Sequence, residues 1–246
     1  MQNPFKYGGV VSQDSFCNRE QERSDLLRAI ENSEKLFVYS ERRLGKTSLI
    51  RLVQESLPEA QYLTAYADLW PTDSSVSFAT TMAKAISESM STTSDKLLET
   101  ARAFFARLVP SITLDNQGKP KVTFGIGKGE EQDLELNEIL EAPARIAAHD
   151  SRKIAIVFDE FQQIMEYSSD LVERSLRSAI QNQENVAYIF LGSRKHLIQK
   201  MFLDKSRPLY RAGGHYPLGP IKETAWLPFI GKNSRTQTSV FQMNIN

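Results

Sequence analysis

The sequence has few of the features that define secreted, membrane-spanning or disulfide-rich proteins. Its 246 residues include one cysteine, Cys17, so an internal disulfide and a cysteine-built zinc site are both excluded. No apolar run approaches the roughly 20 residues that a membrane span needs, and the first residues do not follow the pattern of a secretory signal. These absences predict a soluble, cytoplasmic protein without membrane contact, in which Cys17 is a small buried hydrophobic residue.

An excess of charge of one sign is also absent. Thirty Lys and Arg residues balance thirty Asp and Glu residues. Proteins that bind nucleic acid or anionic membranes through their overall field are usually basic, so neither partner is indicated, although a local basic patch is compatible with this balance. The length and the hydrophobic fraction of 41% suffice for one α/β domain with a sizeable core.

Apolar runs of strand length alternate with amphipathic segments of helix length along most of the chain. The strand candidates are Leu36–Tyr39, Gln61–Leu69, Lys153–Phe158 and Val186–Leu191. The helix candidates begin near Asn18 (a possible N-cap) and Lys46, and then cover residues 77–90, 95–108, 135–148 and 171–181. This alternation predicts a three-layer α/β sandwich, in which helices cover both faces of a parallel sheet.

Two segments depart from this alternation. Asn116-Gln117-Gly118 lies between flanks of alternating polarity, which predicts a small β-hairpin insertion over about residues 111–128. Residues 231–246 are polar and aperiodic, which predicts an irregular tail. We therefore expect a single core domain over residues 1–230, with the hairpin as an excursion from its main sheet.

A phosphate-binding sequence follows the first strand candidate. Residues 40–47, SERRLGKT, match G-x-x-x-x-G-K-[ST] except that Ser40 replaces the first glycine. Gly45 lets the backbone approach phosphate oxygens, Lys46 supplies a mobile positive charge, and Thr47 supplies a hydroxyl ligand for Mg²⁺. The alternative is a basic helix start without function. The predicted nucleotide-binding residues are Ser40, Arg42, Arg43, Leu44, Gly45, Lys46, Thr47 and Ser48.

The third strand candidate ends in two carboxylates. In a parallel sheet the carboxyl ends of the strands point toward the ligand crevice, so Asp159 is predicted to orient Mg²⁺, directly or through water. Glu160 is predicted to be the general base that polarises the water attacking the γ-phosphate. The alternative is that Asp159 caps a following helix over Phe161–Met165, with Glu160 merely solvated.

The fourth strand candidate ends in Gly192-Ser193-Arg194. Ser193 is predicted to lie near the γ-phosphate and to hydrogen-bond it or the attacking water, and we assign it to the catalytic set with Glu160 and Lys46. Arg194 has two interpretations: it reads phosphate charge, or it pairs with a surface acid.

Four segments taken together resemble one family. They are FCNREQE (16–22), RRLGKTSL (42–49), IVFDEF (156–161) and FLGSR (190–194). In order and spacing they are similar to the AAA-like archaeal-type ATPases of the STAND group of P-loop NTPases. This resemblance covers residues 3–230 and implies ATP and Mg²⁺ as ligands.

The resemblance adds residues that the chemistry alone does not select. Asn18 and Arg19 match the position at which such proteins contact the adenine side of the nucleotide; otherwise they are a helix cap and a surface charge. Arg207 and Arg211 are candidates for charge stabilisation in the active state, with ordinary salt bridges as the alternative. Family members continue into a helical lid and a winged-helix region, and nothing of that kind follows Ile230. We therefore expect a truncated core with slow or impaired turnover.

The resulting hypothesis is a Mg²⁺-dependent ATPase that acts as a nucleotide-controlled switch and associates with itself or with a protein partner. One alternative is a non-catalytic ATP-binding module, suggested by Ser40 and by the missing lid. Another is a DNA-processing, transposon-linked ATPase, which the basic residues near the motifs allow and the zero net charge does not favour.

Overall fold

A parallel sheet of five strands crosses the described part of the protein. The computed structural model describes residues 16–90, 99, 102–105, 108–115, 118, 120–126 and 132–231. Strands β5 (Lys153–Asp159) and β6 (Val186–Gly192) are buried almost throughout, as expected when helices cover both faces of a parallel sheet. In chain order the strands are β1 (Lys35–Tyr39), β2 (Tyr62–Asp68), β3 (Leu108–Leu114), β4 (Pro120–Ile126), β5 (Lys153–Asp159), β6 (Val186–Gly192) and β7 (Gly214–Pro217).

The order of the strands brings three loops to one edge of the sheet. The order is β2-β5-β6-β1-β7, with all pairings parallel. In the register of the sheet, Tyr39 lies opposite Gly192, and Asp68 lies opposite Asp159. Because the carboxyl ends of parallel strands share an edge, the segments after β1, β5 and β6 meet there. The predicted phosphate, acidic and Ser193 segments are these three.

Six of the helices in the described part of the chain pack on the two faces of the sheet. One core, containing Leu26, Ile50 and Val53, lies under the first two helices. The other, containing Phe78 and Leu176, lies under the remaining four. Each such side chain stabilises the fold by about 1.5–3 kcal/mol when buried. Helices thus cover both faces of the sheet, and the predicted three-layer α/β sandwich is confirmed. The helices are α1 (Glu20–Glu31), α2 (Lys46–Ser56), α3 (Ser75–Met90), α4 (Gln132–Asp150), α5 (Leu171–Gln181) and α6 (Lys195–Leu203).

The predicted hairpin is present. Strands β3 and β4 pair antiparallel as a separate two-stranded sheet, and Gly118 between them has φ +74°, a backbone conformation that favours glycine. The predicted helix over 95–108 is wrong at its end, because Leu108 begins β3 and is buried. Most of that predicted helix lies outside the described residues.

The sequence pattern did not predict strand β7. It has four residues, Gly-His-Tyr-Pro, and glycine and proline both disfavour strands in sequence reasoning. It extends the sheet beyond β1, where His215 lies opposite Phe37. Its position at the sheet edge explains why proline is tolerated there.

Three further expectations concern Cys17, the last residues of the chain and membrane-spanning helices. Cys17 is buried, as predicted. Residues 223–231 are helical, whereas the predicted irregular tail lies almost wholly outside the described residues. Within the part of the chain that the structure describes, no helix is long and apolar enough to cross a membrane.

Candidate functional site

The phosphate loop lies between the end of β1 and the start of α2. Gly45 is the N-cap of α2 and has φ +82°, and Arg43 also has a positive φ, +65°. A Cβ built on Gly45 would meet no atom of the described residues within 4 Å. The space beside Gly45 is therefore open, and the first backbone N–H groups of α2 face a region where an anion is favoured.

Lys46 is buried inside this loop. Its Nζ donates hydrogen bonds to Ser40 Oγ (2.9 Å), to the Glu41 carbonyl (3.1 Å) and to the Ser40 carbonyl (3.4 Å). Burial lowers the pKa of Lys46, while the negative charges of Glu160 and Asp159 oppose that shift. The ammonium group is thus held by the loop itself and lies within the field of the predicted general base, Glu160, and of the predicted metal ligand, Asp159.

Asp159 lies against the start of α2, as the predicted site requires. Its Oδ2 accepts a hydrogen bond of 2.9 Å from Thr47 Oγ1 and another from the Tyr66 hydroxyl, and its Oδ1 accepts one of 2.8 Å from the Glu160 N–H. Burial, followed by the charge and hydrogen bond of Asp159, raises the pKa of Tyr66, which therefore stays protonated as the donor. The alternative that Asp159 caps the next helix is wrong: the N-cap of the 3₁₀ helix Phe161–Glu166 is Glu160, without a side-chain cap bond.

Glu160 and Ser193 are brought together by the ends of β5 and β6. Ser193 Oγ donates a 2.7 Å hydrogen bond to Glu160 Oε2, and Gln162 Nε2 donates to the same oxygen. Glu160 has φ +51°, an uncommon backbone conformation for a residue with a side chain, and such conformations are concentrated at functional sites. Next to Ser193, a Cβ on Gly192 would come within 2.3 Å of the Ile198 side chain, so a larger residue there would require Ile198 to move.

The oxygen atoms of Thr47 and Asp159 are chemically suited to Mg²⁺. Protein sites for Mg²⁺ usually supply one or two oxygen ligands, and phosphate oxygens and waters complete the octahedron. Among the described residues, no group of three His, Cys, Asp or Glu side chains is placed to hold a metal alone. The hydroxyl and carboxylate therefore fit Mg²⁺ bound together with a phosphate ligand, and they do not form an all-protein metal cage.

Asn18 and Arg19 line a separate cavity of about 370 Å³, together with residues of α1, of β7 and of the segment after β7. Arg19 is the N-cap of α1 with φ +78°, so the expected capping role of Asn18 is wrong. The expected surface charge is also wrong, because Arg19 is only 3% exposed and donates to the carbonyls of Leu44 (3.1 Å) and Gly219 (2.8 Å). Arg19 therefore links the wall of this cavity to the phosphate loop through its hydrogen bond to Leu44.

Three other arginines lie in ordinary contacts. Arg194 pairs with the surface acid Glu166 at 2.9 Å, which is the second of its two interpretations. Arg207 pairs with the buried carboxylate of Glu173. The guanidinium of Arg211 lies 5.2 Å from the ring centre of Tyr210. In this structure, none of these described contacts reaches the phosphate loop.

Two residues of the site were not predicted. Tyr66 lies on the half-buried face of β2, and Gln162 lies in the 3₁₀ helix that follows Glu160. Gln162 is next to the acidic motif in the chain, whereas Tyr66 is 93 residues before Asp159, and the sequence carries no further signal for either residue.

Comparison with known proteins agrees with this fold. The structure is similar to the Walker-type ATPase PABY2304 of Pyrococcus abyssi, with a TM-score of 0.65 and 18% identity, over 96% of this chain and 63% of that one. It is also similar to the Aeropyrum pernix ORC1 protein in complex with DNA (TM-score 0.58, 14% identity, 91% of this chain and 50% of that one). The Aeropyrum pernix ORC2 protein in its ADPNP–ADP complexes gives a TM-score of 0.55 at 12% identity, over 88% of this chain and 51% of that one.

The fold and the loop sequence together define a P-loop ATPase domain. A family model described as the ATPase domain predominantly from Archaea matches residues 16–234, and the chain belongs to that family. It spans between 50% and 63% of the length of the three solved relatives described above. A search of curated proteins found no match.

Proposed function

We propose that this protein binds ATP with Mg²⁺ at the phosphate loop and hydrolyses it, using the two carboxylates at the end of β5. The observation that carries the proposal is the convergence of Lys46, Thr47, Asp159, Glu160 and Ser193, which come from three loops at one edge of the sheet. Membership of an ATPase domain family supports the choice of nucleotide.

Each residue has a distinct proposed role. Lys46 moves its ammonium group from the carbonyls of the loop to the β and γ oxygens of ATP, and the backbone N–H groups after Gly45 bind the same phosphates. Thr47 and Asp159 hold Mg²⁺, which neutralises charge on the phosphates when bound. Asn18 and Arg19 border the cavity proposed for the adenine side.

The hydrolytic step is proposed to use Glu160 as the general base. A carboxylate oxygen of Glu160 accepts a proton from water while the water oxygen bonds to the γ-phosphorus, and the bond from that phosphorus to the β,γ-bridging oxygen breaks. ADP and inorganic phosphate are the products. Ser193 orients the Glu160 carboxylate through the hydrogen bond of 2.7 Å that it already makes.

In biological terms we propose a nucleotide-controlled switch, as in the STAND group that the motifs resemble. Partners are proposed to be further copies of the chain or another protein. Nucleic-acid binding is not proposed, because thirty basic residues are balanced by thirty acidic residues.

A second candidate is a module that binds ATP without hydrolysing it. Ser40 favours this candidate. The motif normally has glycine at this position, whereas the Ser40 hydroxyl accepts a hydrogen bond from Lys46. Titration of the purified protein with ATP, with and without Mg²⁺, followed by a time course of phosphate release, tests both candidates. Mg²⁺-dependent release eliminates the second, binding without release eliminates hydrolysis, and absence of binding contradicts both.

A further inference from the structure

Tyr66 connects the edge strand of the sheet to the carboxylate of Asp159. Its hydroxyl donates to Asp159 Oδ2, the same oxygen that accepts the Thr47 hydroxyl at 2.9 Å. Tyr66 lies on β2, which pairs with β5, and the Leu69 N–H donates to the Asp159 carbonyl at 3.0 Å. The end of β2 thus holds both the backbone and the side chain of Asp159.

The ring of Tyr66 is in turn held by α2, the helix that follows the phosphate loop. The guanidinium carbon of Arg51 lies 3.5 Å from the centre of the Tyr66 ring, within the range of a cation–π contact. Thr47 and Arg51 are four residues apart on α2 and therefore share one face of it. One face of α2 thus reaches Asp159 twice, directly through Thr47 and indirectly through Arg51 and Tyr66.

A further bond fixes α2 against β2. Gln54 Nε2 donates to the Ala65 carbonyl at 3.3 Å, immediately before Tyr66 in the chain. Gln54 is 8% exposed, so this bond is shielded from water. The position of Tyr66 is therefore determined on both sides, by its own strand and by the helix of the phosphate loop.

We propose that Tyr66 is a positioning residue for the metal-binding carboxylate of Asp159. This inference rests on the proposed function. The Tyr66 hydroxyl restricts rotation of the carboxylate, so that Asp159 is presented to Mg²⁺ in one orientation beside Thr47. Groups that orient a metal ligand in this way typically change metal affinity or activity by about 10–100-fold when removed. Tyr66 itself contacts neither the metal nor the phosphates in this role.

The test variant is Tyr66→Phe, which removes the hydroxyl and keeps the ring under Arg51. The matched control is Tyr62→Phe, on the same face of the same strand. Burial and the charge of Glu31 raise the pKa of Tyr62, so its hydroxyl is also protonated. Nucleotide affinity is measured in the presence of a chelator, and Mn²⁺ affinity of the nucleotide complex is measured by electron paramagnetic resonance. We expect Tyr66→Phe to weaken Mn²⁺ binding about 10-fold and to change the metal-free nucleotide affinity less than about twofold.

The outcomes separate this inference from the proposed function. If the wild-type protein binds neither nucleotide nor metal–nucleotide, the proposed function fails. If the wild type binds both and Tyr66→Phe binds Mn²⁺ equally well, only the positioning role is overturned. If Tyr66→Phe loses metal-free nucleotide affinity and Mn²⁺ affinity equally, its role is a general structural one and the positioning role is overturned. An equal loss of Mn²⁺ affinity in Tyr62→Phe overturns it as well.

Discussion

Thr47 Oγ1 lies 2.9 Å from Asp159 Oδ2, although 112 residues separate the two in the chain. The contact joins the first turn of α2 to the end of β5, and β6 lies between β5 and the strand that leads into α2. A hydroxyl and a carboxylate in direct contact at a helix N-terminus form a pair of hard oxygen ligands next to an anion-binding loop. Three predictions about the surrounding residues follow from this geometry, in addition to the Tyr66 test, and a fourth concerns the stability of the fold.

Lys46→Ala should remove nucleotide binding. The ammonium group is predicted to contact two phosphate groups, and a hydrogen bond to a charged group is worth about 1.5–3 kcal/mol, so the Kd for ATP should rise by at least about 100-fold. Calorimetric titration measures this, with Lys200→Ala on the exposed side of α6 as the control. Unchanged affinity in Lys46→Ala would place the nucleotide elsewhere.

Glu160→Gln should retain ATP binding and lose phosphate release. The amide keeps the size of the side chain but cannot accept the proton from water, and loss of a general base typically reduces the rate by about 10²–10⁴-fold. Phosphate release under saturating ATP measures the effect. Glu166→Gln is the matched control, because Glu166 belongs to the adjacent 3₁₀ helix, is exposed and pairs with Arg194. Turnover at the wild-type rate in Glu160→Gln would refute its assignment as the base.

Much of the fold and half of the site follow from local sequence. Strands β5 and β6 were predictable because their apolar runs are bounded by polar residues, and the loop around Gly45 was predictable because each residue type has a separate chemical reason to be there. The burial of Arg19 was not predictable from local sequence, since Arg19 donates to carbonyls that are 25 and 200 residues away in the chain. Tyr66 was not, because an aromatic residue in an alternating strand has the same pattern whether it packs in a core or donates to a carboxylate.

Ser40→Ala should bind ATP more tightly than the wild type. In the free protein the Ser40 hydroxyl accepts a 2.9 Å hydrogen bond from Lys46, which must break before Lys46 reaches phosphate. A hydrogen bond to a charged group is worth about 1.5–3 kcal/mol, so its loss should lower the Kd by at least about 10-fold. Ser40→Gly separates this competition from backbone freedom: a gain in the glycine variant alone, without one in the alanine variant, would assign the effect to the backbone.

The remaining prediction concerns stability and depends on His215 in β7. Its ring lies among Phe37, Tyr39 and Phe202, with centroid distances of 5.9, 6.3 and 6.1 Å. Its Nδ1 is buried and has no hydrogen-bond partner among the described residues. Burial lowers the pKa of His215 below its ordinary value of 6.5. Between the lowered and the ordinary pKa the unfolded chain binds more protons than the folded one, so the free energy of unfolding should fall as the pH drops below about 6.5.

His215→Phe should reduce this loss of stability, because phenylalanine fits an aromatic surrounding and cannot be protonated. Urea unfolding between pH 8 and pH 5 measures the free energy of unfolding of both proteins, and His196→Gln, at an exposed position of α6, serves as the control. We expect the free energy of unfolding of the control to change with pH as in the wild type. The free energy of unfolding of His215→Phe should change least of the three. If all three proteins lose the same stability over this range, protonation of His215 does not contribute to the acid sensitivity of the fold.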